Sequence, residues 1–302
     1  GRFNIRAGIA AVVPDDKRLQ HEVLIGSDDR NGARDGQLVV AEITSSPDSG
    51  RPPIGKVLLV LGDRLTATKV VEMAIHGHNL PHEFPEPVLR EANAIPVDVT
   101  AAEAAVRVDI RHLPLVTIDG EDAKDFDDAV YCEPNTAGFR LLVAIADVSH
   151  YVRPGAALDD EAVLRGTSVY FPGFVVPMLP ENLSNGICSL KPKVDRLCFV
   201  CDMQVGFDGL VTESKFYEAV MHSHARFTYT QVADMLEGGT IAPEHEVLFP
   251  HLQCLQSLYL TLDERRAERG AIAFETLETQ FIFNEQRKID KIVPRGRNQA
   301  HK

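Results

Sequence analysis

Short apolar stretches separated by turn residues fill the first part of the chain. Residues 5–13 read as a first strand ended by Pro14-Asp15-Asp16, residues 23–25 as a short one, and residues 36–44 and 54–61 as longer ones. Gly26, Gly32, Gly36 and Gly50 mark the turns. About five short strands in so short a span predict a small Greek-key barrel of the OB or cold-shock type.

The period then changes. Residues 66–77 predict a helix with Ala67, Val70, Val71 and Ala74 at helical spacing. The run Leu80-Pro81-His82-Glu83-Phe84-Pro85-Glu86-Pro87 reads as a linker, residues 88–93 as a second short helix, and residues 99–108 as acidic and weakly structured. Apolar runs at 113–118 and 141–148 read as buried strands. Asp159 or Asp160 is placed to cap a helix that stops at Gly166. Residues 197–207 and 210–219 predict a hairpin turning at Asp208-Gly209. A helix over 230–237 ends at Gly238-Gly239, and a longer one over 246–269 carries Leu252, Leu255, Leu258 and Leu262 on one core-facing stripe, its start delayed by Pro250. A strand follows at 279–283. The fold class is therefore α+β: an all-β barrel over residues 1–62, a helical and Pro-rich connector over 63–107, and a mixed α/β domain over 108–302.

Between the two core strands lies the most charged stretch. Six of the ten residues from Asp119 to Asp128 are carboxylates. Held between sheet strands they cannot spread apart, and near a surface each close pair costs on the order of 1 kcal/mol. A solvated acidic loop is one reading. The other is a site for a hard divalent cation, Mg²⁺ or Mn²⁺, bound by Asp119, Asp125, Asp127 and Asp128. Two such ions about 4 Å apart would activate a water and stabilise the leaving oxygen of a phosphodiester. An EF-hand is excluded because the sixth residue from Asp119 is Lys124 rather than Gly. No His-Glu-x-x-His motif is present.

Thr117-Ile-Asp-Gly-Glu-Asp-Ala-Lys-Asp-Phe-Asp-Asp-Ala129, followed by Leu142-Val-Ala-Ile-Ala-Asp-Val-Ser149, resembles the signature of the ribonuclease II (RNB) family of exoribonucleases. Arg165-Gly-Thr-Ser-Val-Tyr-Phe-Pro-Gly173, Pro177-Met-Leu-Pro-Glu-Asn-Leu-Ser-Asn-Gly-Ile-Cys-Ser-Leu190 and Ala225-Arg-Phe-Thr-Tyr229 continue the likeness over essentially the whole chain. The resemblance implies processive, metal-dependent hydrolysis of RNA from the 3′ end with release of 5′-monophosphates. It places Asp119 and Asp128 as direct ligands, and Asp125 and Asp127 at a second ion and the attacking water, with Asp127 the residue whose loss hits chemistry hardest. Glu121 and Asp122 are left outer or solvent-facing. Tyr170 and Phe274 fall where the family has substrate-contacting aromatics that clamp the terminal nucleotides; from the residues alone Tyr170 reads as a strand or core position. The family's further Glu, its phosphate-contacting Arg motif and its S1 domain would lie past Lys302, so the catalytic domain reads as C-terminally incomplete, and this stretch as either inactive or one part of a longer protein.

Charge bears on this reading. The net charge of −13 opposes a polyanionic substrate. Residues 1–62 hold eight basic and eight acidic residues, so the excess acid lies downstream. Phe3 is the only aromatic before Phe84, so the barrel is expected to guide RNA through Arg2, Arg6, Lys17, Arg18 and Lys56 rather than by stacking, or else to pack as a spacer. Residues 285–302 carry six basic residues against two acidic, a phosphate-contacting patch or a solvated face. Five cysteines form no disulfide framework, and Cys198 and Cys201 lie three apart on a strand, as structural thiols. His222 and His224 flank Ser223 with no Asp beside them in sequence. The expected partners are RNA, single-stranded or with a 3′ overhang, and RNA-decay or ribosome-associated proteins, with no membrane. The expected state is a cytoplasmic monomer. The rival classes are a non-catalytic RNA-binding protein and an acidic protein-interaction module.

Overall fold

A computed structural model describes residues 1–46, 51–63, 66–272, 278–284 and 289–301. They form two compact units, Gly1–His82 with Gln280–Val293, and Glu83–Thr279 with Pro294–Lys302.

The first unit is built on a closed five-stranded barrel: β1 (Arg2–Arg6), β2 (Ile9–Val13), β3 (Val23–Ile25), β4 (Leu38–Ser45) and β5 (Ile54–Gly62) in the order β1-β2-β3-β5-β4. The single strand expected over residues 5–13 is instead two, paired antiparallel with Ile5 opposite Ala10. Ala7 and Gly8 both take positive φ, 50° and 83°, the mirror-image turn that matches strand twist. Phe3 is fully buried among Ala10, Val12, Val23, Ile25, Val39 and Val57, so the barrel surface offers no aromatic ring for stacking. Several of its cations are partnered within the barrel: Arg2 donates to the Gly36 carbonyl, and Arg6, Arg18 and Lys56 pair with Glu22, Asp16 and Glu42. Helix α1 (Ala67–Gly77) follows, capped by Thr66, whose side chain accepts from Lys69 N–H.

The second unit is organised on a seven-stranded sheet. Preceding it are α2 (Glu86–Ala94) and α3 (Ala101–Ala105). The latter corrects the weakly structured reading of residues 99–108: Thr100 and Glu103 close a reciprocal capping box that fixes a single short helix. The strands are β6 (Val108–Asp109), β7 (Val116–Asp119), β8 (Asp128–Asn135) and β9 (Gly138–Ala146); α4 (Val148–Tyr151), α5 (Ala157–Arg165) and the ribbon β10 (Val169–Phe171) with β11 (Phe174–Val176) come next. Then follow β12 (Asp195–Gly206), β13 (Val211–His222), β14 (Ala225–Thr228), α6 (Tyr229–Leu236) and α7 (Phe249–Glu268). Sheet order is β14-β7-β8-β9-β12-β13-β6, antiparallel except for the parallel pairs β14 with β7 and β13 with β6. A separate two-stranded sheet pairs β15 (Glu278–Phe283) with β16 (Ile289–Arg295).

Two core layers sandwich the sheet centre. Leu142, Ala144, Cys198 and Val200 cluster with Leu115, Tyr131 and Met221, while Val116, Phe227, Val232 and Leu248 gather under α6 and α7. Leu252 and Leu258 of α7 are buried, with Leu255 and Leu262 packed beside them, as a core stripe requires. Pro250 sits in the first turn of α7, where its missing N–H costs nothing. The α5 cap differs from expectation. Ala156 holds the cap position, while Asp159 lies inside the first turn and accepts from Gly155 N–H. Asp195 also stands against His222, its Oδ1 2.9 Å from Nδ1, so that histidine does have a carboxylate partner. Ser223 is buried and donates to the Ala225 carbonyl, which leaves no nucleophile for a triad.

The end of β9 is anchored by a buried ion pair. Arg107 lies 2.6 Å from Asp147, with side-chain exposures of 3% and 7%. Asp147 also caps α4 by accepting from His150 N–H and Ser149 Oγ. Burial alone would raise its carboxyl; the hydrogen bonds from Arg107 and Ser149 outweigh it and leave the carboxyl below its ordinary value.

Candidate active site

The acidic stretch runs from the end of one strand to the start of its neighbour. β7 and β8 are antiparallel with Val116 opposite Val130, which brings Asp119 at the end of β7 near Asp127 and Asp128 at the start of β8. The residues between are pinned from below. Phe126 is buried, its N–H donates to Ser189 Oγ (3.0 Å), and its carbonyl accepts from Leu190 N–H (2.8 Å). Ser189 in turn donates to the Lys124 carbonyl. Asp125 and Asp127 therefore flank a fixed inward anchor. The Asp127 carbonyl accepts from Ala146 N–H (2.8 Å), and Asp128 lies opposite Ile145 of β9.

Arg226 of β14 closes the other side. Its Nη2 donates to the carbonyls of Gly120 and Glu121, and its guanidinium lies 5.6 Å from the Phe126 ring centre. Glu121 is held by Thr230 Oγ1 at 2.7 Å, and Asp122 is exposed. Neither Arg226 nor Ser189 stands out by type, although both lie in stretches that carry the resemblance. In sequence Arg226 shows only as a cation inside an apolar strand, between Ala225 and Phe227, and Ser189 carries no signal of its own.

Electrostatics mark the carboxylates as short of counter-charge. Burial, then Asp128, push the Asp119 carboxyl up to about 6; Arg226 opposes this, and Asp125 and Asp127 add to it. Burial also raises Asp127, assisted by Asp125 and Asp128, and raises Asp128. Since those two side chains still reach solvent, the missing charge weighs most on half-buried Asp119. A donor set made only of carboxylates, with Asp119 and Asp127 raised by burial and by their neighbours, suits a hard divalent cation. Among the described residues, however, no three His, Cys, Asp or Glu side chains are gathered closely enough to hold an ion as they stand. Asp125 is engaged elsewhere: Tyr170, 68% exposed on the β10–β11 ribbon, donates its hydroxyl to Asp125 Oδ2 at 2.9 Å. The structure thus places Tyr170 with the aspartates, outside the core. Phe274 lies outside the described residues, as do Arg287, Lys288 and Lys302 of the basic stretch.

A sign follows for stability. Asp119 binds its proton more tightly folded than unfolded, so its contribution is favourable below about 4 and is lost as pH rises through about 6. Asp119→Asn is expected to stabilise the metal-free chain at pH 7.5 by on the order of 1 kcal/mol, with the gain shrinking at pH 5. Wild type should gain melting temperature on addition of Mg²⁺ or Mn²⁺, and the variant should lose most of that gain; scanning calorimetry with and without cation checks both.

Comparison with known proteins decides the family. The sequence model of the RNB domain matches residues 107–302, and that of a cold shock domain matches residues 12–85. The chain belongs to the RNB family. It is 54% identical over 304 residues to Ribonuclease R of Vibrio cholerae, covering 100% of this chain and 37% of that protein. The structure of Mycoplasma genitalium RNase R in complex with double-stranded RNA superposes with a TM-score of 0.93 at 29% identity, covering 100% of this chain and 53% of that one. The chain therefore spans well under two thirds of these RNB relatives. Yeast Ssd1, a pseudonuclease, shares the RNB fold at a TM-score of 0.69 and 17% identity, so the fold does not decide activity.

Proposed function

We propose that this chain carries the metal-binding half of a 3′-to-5′ hydrolytic exoribonuclease that shortens RNA processively and releases nucleoside 5′-monophosphates. The observation that supports this reading is the group of four aspartates where β7 ends and β8 begins, with Asp119 pushed up to about 6 by burial and by the neighbouring carboxylates. Asp119 and Asp128 would hold Mg²⁺ or Mn²⁺ directly, while Asp125 and Asp127 would bind or orient the second ion and the attacking water. Bound cations would supply a nucleophile at neutral pH and charge stabilisation at the leaving oxygen. The protein's own part would be to hold Asp119 and Asp128 on two adjacent strand ends and Asp125 and Asp127 in the loop between them, to keep that loop in place through Phe126, Ser189 and Arg226, and to stack the terminal base on Tyr170 and Phe274. The RNA is expected to be single-stranded or to carry a 3′ overhang. The test is shortening of a 5′-labelled, 3′-overhanging RNA in Mg²⁺ by the chain and by a version extended to the length of its relatives. A ladder moving from the 3′ end with mononucleotide product is expected from the extended version; intact RNA in both Mg²⁺ and Mn²⁺ overturns the reading.

A non-catalytic RNA-binding role has one observation in its favour, that no three ligands converge among the described residues. It predicts RNA binding that is indifferent to divalent cations.

Tyr170 gives a sharper check. Tyr170→Ala should weaken RNA binding by about 1–3 kcal/mol, roughly a fivefold to 150-fold rise in KM. Tyr170→Phe keeps the ring, loses only the hydroxyl bond to Asp125, and should retain near wild-type KM. Equal losses in the two variants would assign Tyr170 to holding Asp125 and not to stacking.

A further inference from the structure

Away from the carboxylates, strand β8 meets helix α7 through two thiols. Cys132 Sγ and Cys254 Sγ are 3.1 Å apart, although 122 residues separate them in sequence. They sit in a buried cluster with Phe139, Val205 and Leu258. One turn earlier on α7, His251 Nδ1 lies 2.9 Å from the Cys132 carbonyl and so donates to it, while its ring packs 4.8 Å from that of Tyr131. Helix and strand are thus held together beside the thiol pair. Among the described residues no other thiols touch: Cys198 donates to the Ala219 carbonyl, and Cys201 lies on the opposite face of β12.

We infer that Cys132 and Cys254 are the site of a reversible, oxidant-driven disulfide that staples α7 to β8. The oxidant class is a peroxide. Cys254 attacks first, being the less buried of the two, while burial pushes both thiols up. Its sulfur takes one peroxide oxygen, the O–O bond breaks, and water leaves, giving a sulfenic acid at Cys254. Cys132 then attacks that sulfur, its proton departs with the hydroxyl as a second water, and the S–S bond closes. Two thiols are oxidised by two electrons and one peroxide is reduced. Both thiols stay largely protonated at neutral pH, so the reaction is slow and selective for strong oxidant. Thiol reductants reverse it by exchange.

The test is peptide mapping without reduction after hydrogen peroxide treatment of the chain and quenching with an alkylating agent. A bridged peptide pair containing Cys132 and Cys254, lighter by two hydrogens than the separate peptides and restored by dithiothreitol, is expected in wild type and in Cys201→Ser. It should vanish in Cys254→Ser. The bridged form should melt at least about 5 °C higher than the reduced form, since the link closes a long loop. Oxidation confined to Cys201, over-oxidation of Cys254 with no bridge, or bridging to Cys188 or Cys198 would overturn the inference. Should Cys254→Ser fail to fold, the wild-type map decides alone.

Discussion

Asp127→Asn is expected to slow RNA shortening by about a thousandfold or more, with the fold and RNA binding retained. The amide keeps the size of the side chain, and the contact that places this residue, Ala146 N–H to the Asp127 carbonyl, belongs to the backbone and survives. What disappears is one negative charge from a group of four. Loss of several kcal/mol of charge stabilisation at the reacting phosphate corresponds to about three powers of ten in rate. Repulsion from Asp125 and Asp128 falls at the same time, so the variant should melt no lower than wild type in the absence of cation. Single-turnover decay of labelled RNA, measured beside RNA anisotropy and a melting curve on the length-extended chain, separates these effects. A variant that keeps more than about a tenth of the wild-type rate would remove Asp127 from the chemistry.

The second large effect is on stability. Arg107→Met should cost about 3–5 kcal/mol, because it strands the Asp147 carboxylate at 7% exposure without its guanidinium. That is a large share of the 5–15 kcal/mol typical of a folded domain. Adding Asp147→Asn should recover most of the loss, since the amide oxygen can still cap α4 and no charge remains buried. The pH signs are opposite in the two proteins. In wild type the Asp147 carboxyl is held below its ordinary value, so its stabilisation is full above about 4 and is lost as pH falls through the folded value. In Arg107→Met the carboxyl rises, and the deficit should shrink as pH falls through 5. Urea unfolding at pH 7.5 and pH 5 measures both. If single and double variants are equally destabilised, packing of the Arg107 stem and not the stranded charge sets the cost.

How much of this was readable in the sequence follows from what each feature depends on. The hairpin at Asp208-Gly209, the helix ended by Gly238-Gly239 and the Leu stripe of α7 follow from local pattern. The turn at Ala7-Gly8 was passed over because apolar residues run on both sides of it, and β8 because its acidic start hid a strand. The α3 helix is too short to show a period, although Thr100 and Glu103 spell its cap. In the candidate site, the four aspartates could be picked out by charge density and family likeness. Arg226, Ser189, the hydroxyl of Tyr170 on Asp125 and the His222–Asp195 pair could not be seen, because each joins segments far apart in the chain.

That separation in sequence has a consequence in time. A ribosome delivers β7, the acidic loop and β8 long before β14, and the Gly120 carbonyl waits 106 residues for the Arg226 guanidinium. At about 5–20 residues per second the wait is roughly 5–20 s. Throughout it the emerging polypeptide is tethered to a messenger RNA, the kind of molecule that the finished site is proposed to consume. Because β14 also supplies the parallel neighbour of the strand bearing Asp119, the carboxylate platform stays unwalled until that late segment arrives. The order of the strands therefore makes Arg226 and β14, the wall of the acidic loop, the last of these parts to be made.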